Sequence, residues 1–228
     1  MSVDPPAMEP PAIHPGALRL AEAAVARLCH DLSGALGAVV NGLDLAVAGE
    51  SFAAGGADLA AEAIQLSAEA AREVVARLRL ARAVWASDTP LKTSDIEALA
   101  AGLPNRSRID LDLGGLAHGT LAPAQGRALL AVLIAAAEAL HGPGVIGLSG
   151  DPAREVMVMI DGVRAAWPQV LPQLLTDPAA AWDQLDSRGL AIRAAVLLAG
   201  GSRARLSLLL SSGASSGPAP LLLDLRGV

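Results

Sequence analysis

Residues 16–50 read GALRLAEAAVARLCHDLSGALGAVVNGLDLAVAGE, and their spacing decides the fold. Large apolar residues fall at Leu18, Val25, Leu28, Leu32, Leu36, Val39, Leu43 and Val47, in steps of three, four or seven. Such steps return to one side of a helix every turn or two, so one long amphipathic helix is predicted. SFAAGG at 51–56 then breaks the pattern with a glycine pair. A second stripe follows at Leu59, Ala63, Leu66, Ala70, Val74, Leu78, Ala81 and Trp85. Two long helices with a short connection make an antiparallel hairpin. A lone hairpin leaves much of both stripes in water. Two copies pairing into a four-helix bundle would cover them, and so would packing against the rest of the chain.

Working outward, residues 1–15 (MSVDPPAMEPPAIHP) hold five prolines and no basic residue, and read as a disordered leader rather than a signal peptide. SDTP at 87–90 marks a boundary. Three regions are therefore expected: the leader 1–15, the hairpin 16–88 and a second domain 89–228. In the second domain a short helix is predicted at 93–101 and an alternating strand at 107–113. An apolar helix follows at 123–141, then strands at 144–149 and 155–160 joined through Gly150-Asp151-Pro152. Helices are predicted at 165–175, despite Pro168 and Pro172, and at 187–199, ended by Gly200-Gly201. Strands follow at 203–210 and 221–225, separated by a flexible loop, SSGASSGPAP. This order suggests an α+β sandwich with helices on one face of a mixed sheet.

The 228 residues carry a net charge of −6, are 53% hydrophobic and only 2% aromatic. That much apolar content excludes a disordered chain. The acidic balance argues against nucleic acid or an anionic membrane as partner, and the dearth of rings argues against stacking on single strands. Cys29 is the lone cysteine, which fits a reducing compartment. The longest uninterrupted apolar run, at 129–137, is far short of the ~20 residues that span a bilayer. A cytoplasmic protein is expected.

Histidine is scarce, so each one can be weighed. His14 lies in the leader, His118 in a loop between glycines, and His141 at a helix end where the dipole favours a cation. None has another ligand at metal-binding spacing, so no metal site is expected. His30 lies mid-helix, about 145° from the centre of the apolar stripe on a helical wheel, and should face outward. Around it on that face come Ala26, Ser33, Gly34, Gly37 and Asn41. Gly34 and Gly37, with Gly42 beyond, each cost the helix ~0.5–1 kcal/mol relative to alanine. An exposed imidazole over bare helix suits the close approach of another domain, and its nitrogen can accept and return a phosphoryl group. Asp31 either orients that imidazole or pairs with Arg27 one turn back; neighbouring helical positions do not face each other, which favours Arg27. Counting back from the turn at 51–56, the second helix passes His30 near residue 76. Arg72 and Arg79 then flank it, to hold phosphoryl oxygens, meet an acidic partner or simply be solvated.

The run Ala26-Arg27-Leu28-Cys29-His30-Asp31-Leu32, continued by Gly37-Ala38-Val39-Val40-Asn41-Gly42-Leu43-Asp44-Leu45, resembles the histidine helix of the ChpT-type histidine phosphotransferases. The likeness is specific over about 20–48 and looser over the rest of the folded chain. More distantly it resembles the phosphoacceptor box of sensor histidine kinases, with 91–228 similar to a reduced form of their Bergerat-type ATP-binding domain. Set against that domain, the boxes are defective. Residues 129–141 contain no Asn; Asp161-Gly162-Val163-Arg164 lacks the repeated glycine of the adenine loop; and Ser187-Arg188-Gly189-Leu190-Ala191 is poor in glycine for wrapping phosphates. The resemblance implies a homodimeric relay without autokinase activity. His30 would take phosphate from the receiver of a CckA-like hybrid kinase and pass it to CtrA-like and CpdR-like response regulators. No cofactor would be held, and Mg²⁺ would come from the receiver. An active sensor-type kinase and a non-catalytic receiver-binding adaptor are the alternatives.

Overall fold

The computed structural model describes residues 15–49, 56–183, 189–209 and 217–227. The expected leader before Pro15, the turn ahead of Gly56 and most of the 211–220 loop lie outside the described residues. Helices α1 (Pro15–Gly49) and α2 (Gly56–Trp85) pack side by side as a hairpin. Their seam is built of small residues: Ala35 and Ala46 of α1 are buried, as are Ala60, Ala63 and Ser67 of α2. Gly42 sits in this seam. A Cβ there would stand 2.1 Å from Ser67 Oγ and 3.0 Å from the Ala63 carbonyl oxygen. The glycine thus serves close helix–helix approach rather than access from outside, which corrects its inclusion with Gly34 and Gly37. The Ser67 hydroxyl donates to the Ala63 carbonyl at 2.8 Å and lies 3.3 Å from that of Val39.

The stripe predicted on α1 splits into two faces. Leu28, Leu32 and Val39 are half-buried. Leu18, Val25, Leu36, Leu43 and Val47 are exposed, Val47 to 71%. On α2, Leu59, Leu66, Leu78 and Trp85 are exposed as well. By length and composition alone, Pro15–Ala48 is apolar enough to cross a membrane, a property missed by counting only uninterrupted apolar runs.

The remainder is a mixed α/β unit. Strands β1 (Leu91–Lys92) and β3 (Thr120–Leu121) form a small antiparallel ribbon that alternation was too short to reveal. The main sheet contains β2 (Ile109–Leu116), β4 (Gly144–Asp151), β5 (Glu155–Asp161), β6 (Arg205–Leu208) and β7 (Leu221–Asp224), in the order β2-β4-β5-β7-β6. β2 runs parallel to β4, and the other pairs are antiparallel. Alternation works as expected along β5: Val156, Val158 and Ile160 are buried, while Met159 points outward. The inward residues meet α4 (Pro123–Ala139) and α6 (Leu190–Gly201) in one core. α4 is apolar almost all round because it is central, touching the sheet, α6 and α2. Its first turn is fixed by Pro123 and by Gln125, whose Oε1 accepts from the Ala122 N–H at 3.2 Å.

The helix predicted at 165–175 is displaced: α5 spans Leu171–Thr176, with Pro172 in its first turn. Pro168 keeps the preceding stretch out of helix, and Trp167 Nε1 instead donates to the Ala219 carbonyl at 2.9 Å. Gly200 and Gly201 lie within the end of α6; the chain turns at Ser202 and at Arg203, whose φ is +58°.

The hairpin does not stand apart from this unit. Leu80 and Val84 of α2 belong to the same core as α4 and the sheet. The loop after α3 (Ile96–Ala100) presses onto α2 at Gly102, where a Cβ would lie 2.3 Å from the Ala76 carbonyl oxygen.

Candidate functional site

His30 projects from the middle of α1 with 85% of its side chain exposed. Its outward direction follows from the seam residues Gly42 and Ala46, which lie on the other side of the helix and face α2. Gly34 and Gly37, one and two turns on, have nothing within 4 Å of where a Cβ would stand, so no contact among the described residues explains them. Ser33 is exposed, and its hydroxyl donates back to the Cys29 carbonyl at 2.7 Å. Asn41 is exposed on the same helix. The ring thus sits over accessible backbone.

Asp31 makes both contacts. Its carboxylate accepts from Arg27 Nε at 2.8 and 3.0 Å, the pairing one turn back. Its Oδ1 also lies 3.2 Å from His30 Nδ1, because the imidazole is long enough to close the ~100° between adjacent positions. A carboxylate only accepts, so this contact is a hydrogen bond in the neutral tautomer that carries its hydrogen on Nδ1. The lone pair is then on Nε2, away from Asp31.

Two further residues build the site, and the charge pattern of the sequence alone did not single them out. Arg77, half-buried, donates through Nη1 to the Asp31 carbonyl and through Nη2 to Glu73. Glu138, near the end of α4, takes Arg27 Nη2 at 3.1 Å. Arg72 and Arg79 are exposed on α2 on either side of Arg77 in sequence. It is Arg77 that reaches the His30 segment, at the level the hairpin count predicts. A cleft of about 280 Å³ between hairpin and α/β unit has Arg27, Asp31, Arg77 and Glu138 in its walls, with Trp85 and Ile134 among its apolar residues.

Burial pushes the Glu138 carboxyl above its usual range; Arg27 opposes this and the negative charge of Asp31 adds to it. Burial also works against the charge on Arg27, but Asp31 and Glu138 outweigh it and raise the guanidinium further. The ion pair would by itself lower Glu138. Removal of the carboxylate from water is the larger effect, as expected for a group hemmed in by apolar helix. Among the described residues no group of three or more His, Cys, Asp or Glu is placed to hold a metal ion.

A solved structure of a bacterial phosphotransferase superposes over 93% of this chain and 98% of its own, with a TM-score of 0.68 and 22% identity. The chain shares the fold of that structure. A mycobacterial sensor histidine kinase, MprB, covers 62% of this chain at 22% identity with a TM-score of 0.37. No protein-family model matches the sequence, and no curated protein matches it. The similarity over 93% of this chain takes in both the hairpin that bears His30 and the α/β unit that bears Glu138.

Proposed function

We propose that this chain is a His–Asp phosphotransfer intermediate of a two-component relay, with His30 as phosphoacceptor. The observation that carries this reading is the exposed His30 ring with Nδ1 engaged by Asp31 and Nε2 open. In the first transfer the Nε2 lone pair attacks the phosphorus of a receiver aspartyl phosphate. The P–N bond forms, the P–O bond to the aspartyl oxygen breaks, and that carboxylate leaves with the electron pair. The ring becomes a phosphoimidazolium whose Nδ1–H stays on Asp31, which offsets the new positive charge. In the second transfer a receiver carboxylate attacks the same phosphorus and the P–N pair returns to Nε2. No net proton exchange is required. Catalysis consists of positioning and charge neutralisation, with Mg²⁺ supplied by the receiver.

The donor on this reading is a receiver of a CckA-like hybrid kinase, and the acceptors are CtrA-like and CpdR-like regulators, as the resemblance implies. Gly34, Gly37, Ser33 and Asn41 form the bare floor for the incoming domain, and Arg72 and Arg79 offer charge to an acidic rim. The exposed apolar faces of α1 and α2 fit a second copy of the hairpin, giving a four-helix bundle. A bilayer suits them less, because Arg27 and Asp31 lie in the middle of α1.

Incubation with labelled ATP and Mg²⁺ should leave the protein unlabelled, whereas a phosphorylated receiver should label it. Self-labelling from ATP would make it a kinase. A His30→Ala variant that still supports phosphoryl flow between two receivers would make it an adaptor and end the relay reading.

A further inference from the structure

The geometry points to Glu138 as a positioning residue for His30: from the α/β unit it holds Arg27, Arg27 holds Asp31, and Asp31 holds the Nδ1 edge of the imidazole. The inference rests on reading His30 as the phosphoacceptor. The contacts are 3.1 Å from Glu138 to Arg27 Nη2, 2.8 Å from Arg27 Nε to Asp31, and 3.2 Å from Asp31 to His30 Nδ1. They run from the middle of one structural unit to the reactive ring of the other.

The chain of contacts uses properties particular to each group. A guanidinium is a planar fork, so Arg27 can present Nε to one carboxylate and Nη2 to another in a fixed relation. Asp31 pairs with Arg27 within α1, whereas Glu138 reaches Arg27 only when α4 is docked against the hairpin. Glu138 is the last charged residue of α4 and is flanked there by Ala137 and Ala139, both buried. A carboxylate in such surroundings is costly to desolvate and requires a cationic partner. Arg27 serves as that partner, and its direction is then set from two sides. Asp31 is therefore aimed by the α/β unit as well as by its own helix. A free imidazole in water favours the hydrogen on Nε2, which blocks that nitrogen as nucleophile; the Asp31 contact selects the opposite tautomer. The α/β unit thus controls which nitrogen of His30 is open, without touching the ring.

The test uses the full chain labelled with ¹⁵N-histidine, in which His30 signals are identified by their loss in His30→Ala. At a pH where the ring is neutral, wild type is expected to show hydrogen on Nδ1. Glu138→Ala should shift His30 toward the Nε2–H tautomer. It should also slow phosphate uptake from a phosphorylated receiver domain about ten-fold, as for a modest misplacement of a reacting group. Glu138→Gln retains an acceptor oxygen for Nη2 and should restore both readouts. A purely structural Glu138 would lower the melting temperature in Glu138→Ala while leaving tautomer and rate unchanged, and that result overturns the inference. So does a wild-type ring already carrying its hydrogen on Nε2. If the tautomer responds as stated but His30 never takes phosphate, the positioning contacts stand and the phosphoacceptor reading falls.

Discussion

On the relay reading, Asp31 is the residue on which the chemistry of His30 turns. Its carboxylate lies against His30 Nδ1 and accepts from Arg27 Nε, and its carbonyl accepts from Arg77. Asp31→Ala should keep the helix, since alanine favours it, and lower the transfer rate by roughly 10²-fold, measured as single-turnover uptake from a phosphorylated receiver. Glu138 makes a separate prediction about stability. Burial raises its carboxyl above the ordinary 4.5, so the folded protein binds a proton there more readily than the unfolded chain. The stability linked to this proton is fully present below about 4.5 and is lost as pH rises through the raised value. Arg27 and Asp31, both on α1, are the charges that face it. At neutral pH Glu138→Gln should therefore have a urea midpoint at or above that of wild type, and the difference should close as the pH approaches 4.5. Asp224 works in the opposite sense: its hydrogen bonds from Arg226 hold it down to about 2, so any contribution is lost as pH falls from the ordinary 3.8 through that value.

At the scale of elements, the glycines of α1 divide by what they face. Gly34 has open space around it and Gly42 has Ser67 and the Ala63 carbonyl. Gly34→Ala should stabilise the helix by ~0.5–1 kcal/mol in thermal unfolding and yet slow transfer, because the new methyl group stands where a receiver would dock. Gly42→Leu should destabilise the hairpin by roughly 1–3 kcal/mol, since the seam cannot close over it. Both helices were legible from apolar spacing, as were β2, β4, β5 and α4. The division of the α1 stripe into two faces was not, because residues spaced by three and four drift slowly around a helix and one long stripe can serve two neighbours. The short ribbon of β1 and β3 left too few residues to show alternation. Arg77 lies between Arg72 and Arg79 and turns inward to the Asp31 carbonyl, a direction that the spacing of charges does not reveal. Glu138 did leave a signal: a lone carboxylate late in an otherwise apolar helix calls for a cation, although nothing in the sequence says which one.

The whole molecule is a hairpin locked to an α/β unit through a shared core at Leu80 and Val84 and through the Arg27–Glu138 pair. What it leaves uncovered is an apolar face of the hairpin, from Leu18 to Val47 on α1 and from Leu59 to Leu78 on α2. A second copy would bury that face symmetrically. Leu43→Glu should then halve the mass seen by sedimentation with helicity preserved, whereas an unchanged mass would direct attention to a different covering surface. Such a dimer would present two His30 rings, each on its own bare stretch of helix. The account as a whole depends on that imidazole exchanging phosphate with a carboxylate. Mass spectrometry under neutral conditions, after mixing with a phosphorylated receiver, should find an acid-labile phosphate on His30; an unmodified His30 beside a receiver that keeps its phosphate would contradict the account.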